Sequence, residues 1–363
     1  MKNKPIFVTQ PTLADLSELM GLLEGVWDRG ILTHNGPLIQ QLEKELAQKI
    51  NSSHLSIVNN GTVALQIAIK ALDLKGEIIT TPFTWVATVS AIKWEGCTPV
   101  FCDIDPETLN IDPAKIEELI TEKTVAIMPV HVFGTACDVK AIEKIAKKHN
   151  LKVIYDAAHA IGTKKNNECI MNYGDISATS LHATKLFNTG EGGACITTDI
   201  ELHKRMQRIR FFGHNEEKDV IEDGFNGKLT EIHAALGLAN IKLYDEVLTD
   251  RETKYKYYKE RLGKADYIHF QKTTDRETNY SYFPIIFDSE EQLLTAERKL
   301  NESNIFPRRY FYPSVNTYTK IVPYQSTPVS ENISKRILCL PLYFNLMMND
   351  VDLICDLILR DSD

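Results

Sequence analysis

Lys185 lies in the run Ser180-Leu181-His182-Ala183-Thr184-Lys185-Leu186-Phe187-Asn188-Thr189-Gly190-Glu191-Gly192-Gly193. Small, hydroxyl-bearing and apolar neighbours strip water from an amine, and a desolvated amine is a nucleophile that can form a Schiff base with a carbonyl. On its own such a lysine is an ordinary surface residue, in a chain that carries 41 Lys and Arg. A carboxylate upstream alters that balance. Val153-Ile154-Tyr155-Asp156-Ala157-Ala158-His159-Ala160 reads as a short buried strand ending in an acid. A lysine that holds pyridoxal phosphate needs such an acid at the ring nitrogen, because only the protonated pyridine accepts the electrons released when an α-proton leaves. Asp156 meets that need, although alone it is equally a helix cap beside an alanine run. A third anchor is Val58-Asn59-Asn60-Gly61-Thr62-Val63-Ala64-Leu65, where a strand is expected to turn into a helix beginning near Thr62. Gly61 and Thr62 then offer backbone amides, a hydroxyl and a helix N-terminus to a phosphate, though the same tripeptide is also plain capping chemistry.

These groups need elements to place them. Short apolar runs at residues 55–58, 78–80, 100–102, 125–129, 152–155 and 176–181 alternate with helical patterns, which predicts an α/β domain with a mostly parallel sheet. In such sheets ligands sit beyond the strand C-termini, where Asp156 and Gly61-Thr62 both fall. A helix is expected over residues 230–243 and a longer charged one through Leu262. A strand at 282–287, a helix at 289–302 and a terminal helix at 350–359 follow. The expected division is a large cofactor-binding domain over 1–242, with the N-terminal segment, and a smaller α+β domain over 243–363.

The motifs continue in order: Thr33-His34-Asn35-Gly36-Pro37, Asn60-Gly61-Thr62, Thr81-Pro82-Phe83-Thr84-Trp85, Val130-His131-Val132-Phe133-Gly134, Asp156-Ala157-Ala158-His159, the lysine segment, Gly224-Phe225-Asn226-Gly227-Lys228 and Cys339-Leu340-Pro341-Leu342. In that order, over nearly the whole chain, they resemble the pyridoxal-phosphate-dependent sugar aminotransferases of the DegT/DnrJ/EryC1/StrS family. The resemblance implies the fold type I transferase architecture, with Lys185 and Asp156 catalytic. It makes Trp85 the aromatic that stacks on the pyridine ring, where context-free reading gives a core tryptophan. It sets His159 next to the cofactor's phenolic oxygen and Ser180 on the phosphate, against the bland readings of a satisfied helix histidine and a strand-end hydroxyl. Asn226, otherwise a turn asparagine, would reach the phosphate of a neighbouring subunit's cofactor, which implies a homodimer with shared sites. Many relatives carry an aromatic and an arginine where this chain has Gly227 and Lys228, so the interface near that turn departs from the family.

Read from the residues themselves, Arg308, Arg309 and Tyr310 in Pro307-Arg308-Arg309-Tyr310-Phe311-Tyr312-Pro313 suit a nucleotide diphosphate, since guanidinium forks pair with phosphate oxygens. A solvated basic turn has the same composition. The resemblance then implies transfer of an amino group from glutamate to a nucleotide-linked keto-sugar, with Lys185 as general acid and base. A few relatives have histidine at the lysine position and dehydrate instead. Val8-Thr9-Gln10-Pro11 and the residue 33–37 motif look closer to members that act at C4 of dTDP-4-keto-6-deoxyglucose, giving dTDP-4-amino-4,6-dideoxyglucose for surface polysaccharide, than to those that act at C3. The alternatives are a C3 aminotransferase or lyase on the same fold, and a non-catalytic regulatory protein that kept it.

Bulk properties agree. At 363 residues, 43% hydrophobic and 25% charged, the chain is long enough for two domains with a real core. Its net charge of −8 disfavours a general nucleic-acid or anionic-membrane surface, so a diphosphate must meet a local positive pocket. No apolar signal core follows Met1-Lys2-Asn3-Lys4-Pro5 and no stretch approaches a membrane span. Seven scattered cysteines without a Cys-x-x-Cys pair point to reduced thiols, no metal site and the cytoplasm.

Overall fold

Residues 4–273 and 278–359 are described by a computed structural model. The chain opens with β1 (Ile6–Phe7), α1 (Leu16–Arg29) and α2 (Pro37–Ile50). Strands and helices then alternate: β2 (His54–Val58), α3 (Gly61–Ala71), β3 (Glu77–Thr80), α4 (Val86–Trp94), β4 (Thr98–Phe101), β5 (Thr124–Met128), α5 (Val139–His149) and β6 (Lys152–Asp156). A small hairpin, β7 (Lys164–Lys165) with β8 (Glu168–Cys169), precedes β9 (Ile176–Ser180), β10 (Gly193–Thr197) and α6 (Ile200–Arg210). After α7 (Glu231–Ile241) and α8 (Tyr244–Leu262) come β11 (Ile268–Phe270), β12 (Phe283–Phe287), α9 (Glu290–Glu302), β13 (Ile305–Phe306), α10 (Pro328–Arg336), β14 (Ile337–Leu340) and α11 (Met348–Leu359).

The central sheet has the order β2-β10-β9-β6-β5-β3-β4. Only β10 runs against the rest, pairing antiparallel with both β2 and β9. Helices cover both faces, so its strands are buried along nearly their whole length instead of alternating; all of β10 is buried. Six strand C-termini therefore meet at one edge, joined there by Gly193, the first residue of the reversed strand. Val58, Asp156 and Ser180 end their strands at that edge, and Lys185 lies on the connection from β9 to β10.

The N-terminal helices owe their placement to a buried carboxylate. Glu231, at the start of α7, is fully buried and accepts from the Leu38 and Ile39 amides at 3.0 and 2.9 Å, capping α2 from another element. A Cβ at Gly36 would lie 2.5 Å from the Glu231 carboxyl carbon, so the Asn-Gly-Pro motif leaves the room that this cap occupies.

A second, antiparallel sheet has the order β11-β12-β14. Helix α8 serves both cores: Tyr244 and Val247 pack into the one around the large sheet, Tyr255, Tyr258 and Leu262 into the one around the small sheet. The N-terminal strand β1 pairs in parallel with β13, an attachment to the C-terminal part that grouping the N-terminal segment with residues 1–242 does not anticipate. Asp103 fastens the two parts: its buried carboxylate accepts from the Val329 and Ser330 amides, each at 2.9 Å, at the start of α10. Val315 adds a bond to the Pro82 carbonyl at 3.0 Å. These bonds draw residues 308–315 across the C-terminal edge of the large sheet. Among the described residues no helix is long and apolar enough to cross a membrane.

Candidate active site

One cavity of about 390 Å³ opens at that edge, lined by residues from both parts of the chain. On one wall, Asn60 caps α3: its Oδ1 accepts from the Val63 amide at 2.9 Å and its carbonyl from Ala64 at 3.1 Å. The preceding amides, Gly61 and Thr62, have no acceptor within the helix and face the N-terminal end of its dipole. Ser180 stands against them, since a Cβ at Gly61 would come 3.0 Å from the Ser180 Cβ and 3.5 Å from its Oγ. Glycine at 193 is required by the same crowding: a Cβ there would meet the Asn60 carbonyl at 2.5 Å. The Gly61 and Thr62 amides thus share one corner of the cavity with Ser180, a setting that suits an anion.

Asp156, at the end of β6, is buried. Thr88 on α4 donates its hydroxyl to Asp156 Oδ2 at 2.7 Å, and the Ala158 amide donates to Oδ1 at 3.1 Å. Because the Thr88 proton is committed, Thr84, 2.8 Å away, must donate to Thr88, which makes a directed chain of hydroxyls. Burial pushes the Asp156 carboxyl up, while Thr88, Ala158 and the Lys185 charge oppose that rise. An arriving cation would find a carboxylate short of a counter-charge. Trp85, the N-cap of the same α4, lines the cavity and is 50% exposed.

Lys185 lines the cavity with its amine 3.4 Å from the Tyr282 hydroxyl. Burial lowers its pKa to about 8, with Asp156 pulling the other way, so about a tenth of the amine is free at pH 7, far more than for an ordinary lysine. His159 is buried and lies nearly parallel to Phe133 and Phe311. The Phe133 amide donates to His159 Nδ1 at 3.3 Å, which leaves the proton of a neutral ring on Nε2. Burial, then the neighbouring Lys185, hold that ring well below the ordinary histidine pKa, so it stays neutral.

Gly61, Thr62, Trp85, Asp156, His159, Ser180, Lys185, Arg308 and Tyr310 all line this one cavity. Arg308 is exposed, packs on the Trp85 and Tyr310 rings at 5.7 and 5.0 Å, and makes no ion pair among the described residues. Arg309 requires a correction. It is paired with Glu290 at 2.7 Å, donates to the Lys335 carbonyl at 2.8 Å and stacks on Tyr312, outside the cavity lining. Both bonds are made by Nη2 and hold the guanidinium against α9 and the Lys335 backbone, away from the cavity that Arg308 lines. Asn226 is exposed, held by the Lys228 amine at 2.6 Å, and also lies outside the lining within this one chain. Sequence reasoning missed Tyr282, Thr88 and Phe311, whose contacts to Lys185, Asp156 and His159 join residues far apart in the chain. No group of three or more His, Cys, Asp and Glu suited to a metal occurs among the described residues, and all seven cysteines are free and buried.

The residues fit pyridoxal phosphate: a corner of orphaned helix amides closed by Ser180, a buried acid under-supplied with positive charge, a half-exposed indole and a lysine of lowered pKa share one space. Comparison with known proteins points the same way. The profile of the DegT/DnrJ/EryC1/StrS aminotransferase family matches residues 15–359. A dTDP-4-amino-4,6-dideoxy-D-glucose transaminase from Shigella dysenteriae is 42% identical over 350 residues, 95% of each chain. A GDP-perosamine synthase from Escherichia coli O157:H7 is 32% identical over 98% of each chain. Among solved structures, that of DesI in the presence of its TDP-sugar product superimposes with a TM-score of 0.92 at 30% identity, covering 98% of this chain and 92% of that one.

Proposed function

The chain belongs to the DegT/DnrJ/EryC1/StrS aminotransferase family, and from that premise we propose that it moves an amino group from glutamate to the C4 ketone of dTDP-4-keto-6-deoxyglucose. As an aminotransferase it works with pyridoxal phosphate, which supplies, when bound, the electron sink that makes the carbon next to nitrogen acidic. The near full-length similarity to a dTDP-4-amino-4,6-dideoxyglucose transaminase carries the choice of sugar and carbon. The similarity to a GDP-perosamine synthase supports a second reading, a GDP-linked 4-keto-6-deoxyhexose.

In this proposal the Lys185 amine, its pKa lowered by burial, would remove the glutamate α-proton in the first half-reaction and deliver a proton to the sugar C4 in the second, the carbon of the bound cofactor holding the equivalent between them. Asp156, its charge fixed by the Thr84–Thr88 chain, holds the proton on the cofactor's ring nitrogen. Gly61, Thr62 and Ser180 would hold the phosphate, Trp85 would pack on the ring and His159, its proton on Nε2, would donate to the phenolic oxygen. Arg308, with no carboxylate of its own, serves the diphosphate and Tyr310 the sugar or base. Asn226 completes the phosphate site of a second copy, so the active form is a homodimer with large and small domains meeting near residue 243. Seven free cysteines suit a cytoplasmic enzyme.

The test compares kcat/KM for dTDP-linked 4-keto, dTDP-linked 3-keto and GDP-linked 4-keto-6-deoxyhexoses, with the aminated carbon identified by NMR. A preference of about tenfold or more for the dTDP-linked 4-ketone is expected. Preference for either rival sugar assigns the corresponding alternative and rejects this one.

A further inference from the structure

Behind the phenol that meets the lysine lies a buried charge with no part in the chemistry above. Arg251 on α8 is 1% exposed. Its Nη1 donates to the Ser281 carbonyl at 3.0 Å, while Nε and Nη2 have no hydrogen-bond partner. A buried guanidinium with idle donors is costly, and its retention asks for a reason. The residue after Ser281 is Tyr282, the group in contact with the Lys185 amine. Arg251 lies near enough to Tyr282 for its charge to act on the phenol.

The segment carrying Tyr282 is tied down on its other side as well. Ser281 Oγ and Asn279 Nδ2 donate to the His159 carbonyl at 3.1 and 2.7 Å, and Asn279 Nδ2 reaches the Ile161 carbonyl at 2.8 Å. The Tyr282 ring is wedged between His159 at 4.7 Å and Tyr310 at 5.6 Å. Residues 279–282 are thus bonded both to α8 and to the wall that carries His159. A phenol pinned in this way is a fixed feature of the lysine's surroundings.

We propose that Tyr282 is a catalytic residue, holding the Lys185 amine in place through both of its protonation states, and that Arg251 is a positioning residue that keeps the phenol there. A hydroxyl suits this task because its oxygen accepts from an ammonium and its proton is donated to a free amine. Protons balance: in each half-reaction Lys185 takes a proton from one carbon and places it on another, ending as it began, and Tyr282 only turns its O–H. Burial keeps the phenol neutral throughout. The inference rests on Lys185 being the acid–base lysine. The other titratable or charged groups lining the same cavity are Asp156, His159, His182, Glu191, Arg308 and Tyr310.

Two measurements test it with Tyr282→Phe, which keeps the ring and its packing. In the full-length cofactor-free chain, the rate at which acetic anhydride labels Lys185 is followed against pH by peptide mass spectrometry. The midpoint is expected to fall by about half a pH unit or more, because the ammonium loses its acceptor. In the loaded enzyme, kcat is expected to drop about 10–100-fold with KM for both substrates changed less than about threefold. Arg251→Lys should move the midpoint in the same direction by less. A midpoint that stays or rises in Tyr282→Phe, or an unchanged kcat, overturns the proposal. Lys185→Ala separates the underlying reading: transfer by that variant sinks the lysine's role, whereas the midpoint reports on the phenol contact independently.

Discussion

At Lys185, burial and chemistry make the same demand, because a lysine that must lose its proton more readily than usual has to be stripped of water. Its pKa of about 8 lies below the ordinary 10.5, so between those values the unfolded chain binds the extra proton and the folded one does not. Below about pH 8 both forms are charged and burying the ammonium costs stability in full; as pH rises toward 10.5 that cost disappears. Lys185→Met should therefore raise the melting temperature of the cofactor-free chain at pH 7, by about 2 °C or more, with the gain shrinking above pH 8. Calorimetry at pH 7 and 9.5 reads this directly, and a gain that grows with pH contradicts it. Asp156 depends on a different support, the Thr88 hydroxyl at 2.7 Å. Thr88→Val keeps the shape and removes that donor, so the carboxyl should rise further and cofactor affinity should weaken about tenfold, measured by absorbance titration.

At the level of elements, the site depends on caps made between distant segments. Glu231 holds α2 through two amides, and Gly36→Ala would drive a methyl into its carboxyl. Urea unfolding should show Gly36→Ala and Glu231→Gln each destabilised by about 1–3 kcal/mol, with the midpoint moved and the slope unchanged. These caps mark where sequence reading runs out. The six strands and the site edge were legible because apolar runs, turn residues and the strand-ending acid are local signals: the run at 152–155 became β6, one residue longer to include Asp156. Asn60-Gly61-Thr62 was legible for the same reason, as helix-start chemistry. Thr88 and Tyr282 were not, since each matters through a partner 68 or 97 residues away. Arg308 and Arg309 looked alike in sequence and part company in space, because Glu290 on α9 captures one and leaves the other over the cavity.

For the whole molecule, the exposed Asn226 is where one chain stops being sufficient in the proposed dimer. If Asn226 serves the partner's site, Lys185→Ala and Asn226→Ala homodimers are each impaired, yet mixed and re-equilibrated chains form one site with both residues intact. Activity should return in the mixture; failure to recover while mixed dimers are seen by native mass spectrometry places Asn226 outside the shared site. Most directly, the absorbance of the purified, cofactor-loaded protein can be followed as glutamate and then dTDP-4-keto-6-deoxyglucose are added, with Lys185→Ala alongside. The long-wavelength band of the lysine-bound cofactor is expected to vanish with glutamate, return with the keto-sugar, and do neither in the variant. A band that converts but never returns contradicts the assigned sugar, and a Lys185→Ala protein that cycles like the wild type contradicts the central role of the lysine.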